Sequence, residues 1–173
     1  MHCFEICLGD ISPLFCYLYL MITKDKIEGL IGNIIKDKNL FVVSLDISSS
    51  NVIRLLIDSM YGINISECVQ LSRTIENGLN RSDEDFEIEV SSPGLGMPFR
   101  VREQYIKNIG RDIEVVTKEG QIFQGLLTGV DELAFSLERE QKIKVEGRKK
   151  KQLIKEVLNF NFENVSKVRN VLK

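Results

Sequence analysis

The run Ser91-Ser92-Pro93-Gly94-Leu95-Gly96-Met97-Pro98 divides a chain of 173 residues into two unlike halves. It holds two of the three prolines, at a density of Pro and Gly that neither a strand ladder nor a helix interior tolerates. Pro93 followed by Gly94 predicts a type II turn with Gly94 at the positive-φ position. We therefore place a boundary here, giving a leader over 1–21, an N-terminal domain over 22–98 and a C-terminal domain over 99–173. The charges on either side agree with a division. Residues 22–91 carry 7 basic against 12 acidic side chains, whereas residues 92–173 carry 16 against 11. An acidic front and a basic back point to two domains with different partners.

Upstream of the run, residues 85–91 alternate apolar and acidic, which predicts a half-buried strand of an antiparallel sheet. Before it, Ser66 is a candidate N-cap for a helix over 67–80 with Cys68, Leu71, Ile75 and Leu79 on one side. Cys68 then reads as a small buried core residue rather than a reactive thiol. Residues 40–47 and 52–58 are rich in strand formers and flank the polar cluster Ser48-Ser49-Ser50-Asn51, predicting an antiparallel hairpin. Earlier still, Thr23 caps a stripe of Ile27, Leu30, Ile31, Ile34 and Ile35 at helical spacing. The order helix-strand-strand-helix-strand predicts an α+β domain, an α/β sandwich with its helices on one face of a small sheet.

Downstream, a short helix over 101–108 ends at Gly110, a candidate C′ glycine. Strand-like segments follow at 112–117, 121–130, 133–138, 141–145, 152–160 and 167–172. Short antiparallel strands packed into so little chain remove their edges by closing into a small barrel. Gly125 in mid-strand suits a sharp bend of such a barrel.

Composition narrows the chemistry. Hydrophobic residues make up 43% and charged residues 28%, a globular balance. A net charge of −2 excludes a chain that coats nucleic acid through a summed positive field. With a single His there is no His pair, no His–Cys dyad and no His cage. The cysteines, Cys3, Cys7, Cys16 and Cys68, define no disulfide framework. His2, Cys3 and Cys7 lack the second ligand pair that a zinc knuckle needs. No P-loop, GxGxxG or CxxC occurs. We expect no cofactor, no metal and no catalysis.

Residues 11–22 are apolar but about half the length that spans a bilayer. No Lys or Arg precedes Lys24, so the positive start of an export signal is missing. We expect no membrane partner, translation beginning at Met21, and a cytoplasmic, monomeric protein.

Three further features have two readings each. Gly29-Leu30-Ile31-Gly32 matches the clamp loop of KH domains in letters but lies inside a helical stripe. Asp83, Glu84, Asp85, Glu87 and Glu89 are a hydrolytic or metal site, or a solvated acidic face that also docks a basic partner; with no His, Ser or Lys placed to act with them, we favour the second. Arg148-Lys149-Lys150-Lys151 is a soluble hairpin tip, or a set of phosphate contacts on RNA.

The stretch Glu89-Val90-Ser91-Ser92-Pro93-Gly94-Leu95 resembles the signature of the RimP family of bacterial ribosome maturation factors. Leu55-Leu56-Ile57-Asp58, Cys68-Val69-Gln70-Leu71-Ser72-Arg73 and Gly110-Arg111-Asp112-Ile113-Glu114-Val115 are similar to that family's second strand, second helix and barrel entry. Gly125-Leu126-Leu127 and Asp131 agree with them. Gly96 and Met97 depart from the acidic and basic pair that the family usually shows after the signature leucine.

The resemblance implies a non-enzymatic factor that binds the precursor of the small ribosomal subunit. Its C-terminal barrel is then Sm-like or SH3-like and docks a ribosomal protein, while the acidic N-terminal domain suits a basic small-subunit ribosomal protein and rRNA phosphate is a further contact. The contact residues so implied are Ser91, Ser92, Pro93, Gly94 and Leu95; Arg148, Lys149, Lys150 and Lys151 are added toward RNA on their charge alone. In RNA-reading Sm proteins an Asn stands four residues after the motif aspartate. Here that position after Asp131 holds Phe135, which we expect to fill the core rather than read a base. The rival reading is an Sm- or KH-like module acting on small RNAs.

Overall fold

The structure, a computed structural model, describes residues 22–79, 85–143 and 152–171. The leader with His2, Cys3, Cys7 and Met21, the carboxylates Asp83 and Glu84, and the run Arg148–Lys151 lie outside the described residues. Contacts divide the chain into two units. One runs to Leu56 and resumes over Ile63–Ser91; the other joins Ile57–Gly62 to the residues from Ser92 onward.

In the first unit, α1 (Lys24–Asp37) starts where Thr23 Oγ1 accepts the Lys26 N–H at 3.4 Å. That bond satisfies one donor which the first helical turn leaves unpaired. Ile27 and Ile31 of the predicted stripe are fully buried, each worth about 2 kcal/mol of removal from water. β1 (Leu40–Ile47) and β2 (Val52–Ser59) follow as neighbours, the loop between them closed by Ser48 N–H donating to Val52 O at 3.0 Å.

α2 (Ile65–Gly78) is capped by Asn64 rather than Ser66. Asn64 Oδ1 accepts from Glu67 N at 2.9 Å, and Asn64 N donates to Glu67 Oε2 at 3.0 Å. Two orphan donors are satisfied reciprocally, which a serine two residues later does not achieve. Leu71 and Ile75 are buried beneath the helix. Cys68 is only partly buried, and desolvation followed by the Glu67 charge pushes its thiol up.

β3 (Glu87–Ser91) completes the sheet in the order β1-β2-β3 and pairs with β2 in parallel. This corrects the antiparallel expectation. The intervening α2 carries the chain back along the sheet, so β3 sets off in the same direction as β2; alternation in the sequence reports a half-buried face but not strand direction. Ile53 sits opposite Ile88 and Leu55 opposite Val90, while Arg54 sits opposite Glu89. Apolar pairs thus occupy one face, and the other carries the Arg54–Glu89 pair between Val52–Glu87 and Leu56–Ser91.

In the second unit, α3 (Arg102–Lys107) is one residue shorter at each end than the expected helix. The Gln104 carbonyl oxygen Oε1 accepts from Arg100 N at 2.7 Å and Val101 N at 3.4 Å, holding the chain as it enters the helix. Within this unit Lys107 Nζ lies 2.6 Å from Asp58 Oδ1, a pair largely withdrawn from water. The remaining chain forms β4 (Asp112–Thr117), β5 (Ile122–Val130), β6 (Ala134–Ile143), β7 (Gln152–Asn161), a 3-10 turn (Phe162–Asn164) and β8 (Val165–Asn170). Their order is β7-β6-β5-β4-β8, antiparallel throughout. The segments expected at 133–138 and 141–145 are one strand, β6, as far as Ile143, and residues 144–145 lie outside the described residues. The polar residues Arg139 and Glu140 look like a turn in sequence but pair with Glu156 and Lys155 of β7.

This sheet wraps a core of Tyr105, Ile113, Val115, Leu127, Phe135, Leu137 and Val168. Tyr105 meets Phe99 and Phe162 edge-on, both with centroids 5.0 Å away. Phe135 stacks on Phe160 at 5.6 Å. The strands bend at two register shifts, one in β4/β8 and one in β5/β6. Gly125 lets β5 approach β6: a Cβ there would collide with the Glu138 carbonyl. The predicted mixed α+β class, an α/β N-terminal part followed by a five-stranded antiparallel β part, is the one observed.

Candidate functional site

The signature run begins inside the sheet and leaves it. Ser91 is the last residue of β3, opposite Leu56. From Ser92 the chain is irregular, and Met97 N–H donates to Gly94 O at 3.0 Å to close a tight turn. The turn differs from the expected one. Gly94 is its first residue rather than a central one, and neither Gly94 nor Gly96 has a positive φ. Pro93 therefore precedes the turn instead of shaping it. Leu95 projects with 70% of its surface exposed, an unusual state for a large apolar side chain.

Leu95 lines an open cleft of about 380 Å³ together with Gly110, Arg111, Asp112, Leu126 and Asn170. Gly96 lines a neighbouring one of about 300 Å³ with Glu114, Arg169 and the same Asn170. Glu114 on β4 accepts from Arg169 of β8 and from Gln124 Nε2 of β5 at 2.9 Å. These two hydrogen bonds, Gln124 first, hold its carboxyl below the usual range. Asn170 Oδ1 is buried without a hydrogen-bond partner among the described residues.

The position that decides base reading in Sm proteins is closed. Phe135 is 1% exposed inside the aromatic cluster, as expected. Asp131 N donates to Ala134 O at 2.8 Å, so the loop is a tight hairpin, with Leu133 exposed at its tip.

On the first unit, Glu87 and Glu89 are exposed on the charged face of β3. Arg54 Nε lies 3.1 Å from Glu89 Oε2. On α2, Ile65 and Val69 stand exposed one turn apart. Gly29 and Gly32 lie within α1, so no KH clamp loop forms from them. Among the described residues no group of three His, Cys, Asp or Glu side chains is placed to hold a metal ion. No helix among them is long and apolar enough to cross a membrane.

Sequence reasoning missed the clefts around Leu95 and Asn170, because they are assembled from residues far apart in the chain. The apolar-to-polar alternation Val168, Arg169, Asn170 marks a strand but not what its polar side faces.

The RimP N-terminal domain family matches residues 30–96. The chain is 40% identical over 106 residues to a ribosome maturation factor RimP of Christiangramia forsetii, covering 61% of this chain and 69% of that one. It is 34% identical over 119 residues to a ribosome maturation factor RimP of Flavobacterium psychrophilum, covering 68% and 77%. A third ribosome maturation factor RimP, of Porphyromonas gingivalis, is 35% identical over 132 residues, covering 76% and 87%.

Proposed function

The chain belongs to the RimP family of ribosome maturation factors, and on that premise we propose that it binds the immature small ribosomal subunit and assists its assembly without catalysis. The observation that carries this reading is the separation of charge and surface between its two parts. The first unit presents Glu87 and Glu89 on an exposed strand face, in a stretch with an excess of acid. That face suits a basic ribosomal protein, because complementary potential speeds encounter and rejects like-charged partners.

The second unit is basic in balance. We read the signature residues Ser91, Ser92, Pro93, Gly94 and Leu95 as contacts for a ribosomal protein docked by the barrel, with Leu95, which lines a cleft of the second unit, as an apolar anchor. Arg148, Lys149, Lys150 and Lys151 add phosphate contacts on rRNA. The factor acts as a monomer in the cytoplasm, with domains at 22–98 and 99–173. A binder changes an assembly equilibrium only by preferring one state, so it must hold the precursor more tightly than the finished particle.

The test is the ribosome profile of cells lacking the protein. Accumulated small-subunit precursors support the reading, and an unchanged profile contradicts it. The rival small-RNA module is disfavoured by Phe135, which fills the core where a base-reading side chain would stand.

A further inference from the structure

Cations from two separate stretches of the second unit line one open cleft of about 340 Å³. Arg100 and Arg102 come from the entry to α3, and Lys167 from β8. Tyr105 and Phe162 also line it, and Glu132 is the one carboxylate in the lining. Arg102 Nε donates to Asp131 O at 3.1 Å, which fixes the guanidinium rather than leaving it to sweep through solvent. Arg100 is tethered through its backbone N–H to Gln104. All three cationic side chains are exposed. Tyr105 is a neutral phenol near neutral pH, as any tyrosine is, and adds no negative charge to the cleft.

We propose that this cleft binds the phosphodiester backbone of single-stranded RNA. Cations drawn from two stretches of chain suit a ligand whose charge runs along its length, and a guanidinium fork matches two oxygens of one phosphate. An acidic polypeptide has similar charge, but it would bind in a cleft beside a strand most simply by extending β8. That edge is already blunted. Val168 O accepts the Phe99 N–H at 2.8 Å, and the shift between Val116 and Thr117 breaks the register beside Val165–Lys167. The ligand is thus gripped by side chains, without reading of bases. That the RNA is ribosomal rests on the function proposed above; the binding itself does not.

The experiment is fluorescence anisotropy of the full chain with a labelled oligouridylate across a range of potassium chloride. The double variant Arg102→Ala with Lys167→Ala should weaken binding about tenfold at low salt and lower the slope of log K against log salt by about 1.4. Glu132→Gln should strengthen binding by roughly twofold, a sign that no folding defect would mimic. Lys36→Ala with Arg73→Ala, on the first unit, should leave the slope unchanged. An unchanged slope in the first double variant would overturn the proposal. So would polyglutamate displacing the oligonucleotide as well as RNA does. Oligonucleotide binding with the predicted slopes, in a protein that ignores ribosome precursors, would uphold the cleft and refute the assembly role.

Discussion

Glu114 of β4 and Arg169 of β8 stand directly opposite each other in the strand register, with Arg169 Nε 2.7 Å and Nη2 2.6 Å from the same carboxylate oxygen. The pair ties the edge strand β8 to its neighbour β4. It does so beside the cleft that Gly96 lines.

That arrangement sets an acid limit. Glu114 is held below its ordinary value, so the folded state binds its proton less readily than the unfolded chain does. The stabilisation is complete above the unfolded value and fades as pH falls through the folded one. Urea unfolding midpoints should therefore drop as pH is lowered below about 4.5, and Glu114→Gln should flatten that part of the curve. Identical pH profiles for the two proteins would show that the pair does not couple to folding.

Gly125 is where β5 runs close against the backbone of β6. Gly125→Ala should cost about 1–3 kcal/mol, because the new methyl meets backbone rather than a side chain that can swing away. Gly129→Ala on the same strand meets nothing within 4 Å and should cost under about 1 kcal/mol. Denaturant melts of the two variants check the contrast.

Phe135→Ala should cost about 3–5 kcal/mol, the range for emptying a large aromatic site in a closed core. Phe135→Asn should be at least as damaging and should create no uridine preference, since the side chain points into the aromatic cluster. A stable Asn variant that selects uridine would restore the small-RNA reading.

Asn64→Ala should destabilise the first unit by about 0.5–2 kcal/mol, while Ser66→Ala should change little. Thermal melts separate the two, and the reverse order would move the helix start back to where propensity alone places it.

Local signals in the sequence were sufficient for much of this. Thr23 and the isoleucine stripe of α1, and the apolar pattern of α2, each reflect one element's own face and were legible without tertiary knowledge. What needed the structure was relational. The parallel pairing of β2 with β3 follows from how α2 crosses over, not from residues 85–91. Arg139 and Glu140 look like a turn until Glu156 and Lys155 arrive from the neighbouring strand to pair with them. The candidate site followed the same rule. Leu95 was legible in the signature, but its cleft partners Asp112, Leu126 and Asn170 come from three strands or their margins. Arg100, Arg102 and Lys167 are scattered cations until β8 folds back beside α3.

Selective adhesion to an unfinished particle is the core of the function proposed above. It is tested most directly by sedimenting the purified chain with small-subunit precursors and, separately, with mature small subunits. The account predicts co-migration with the precursors and loss from the mature particles. Equal binding to both, or to neither, would contradict it.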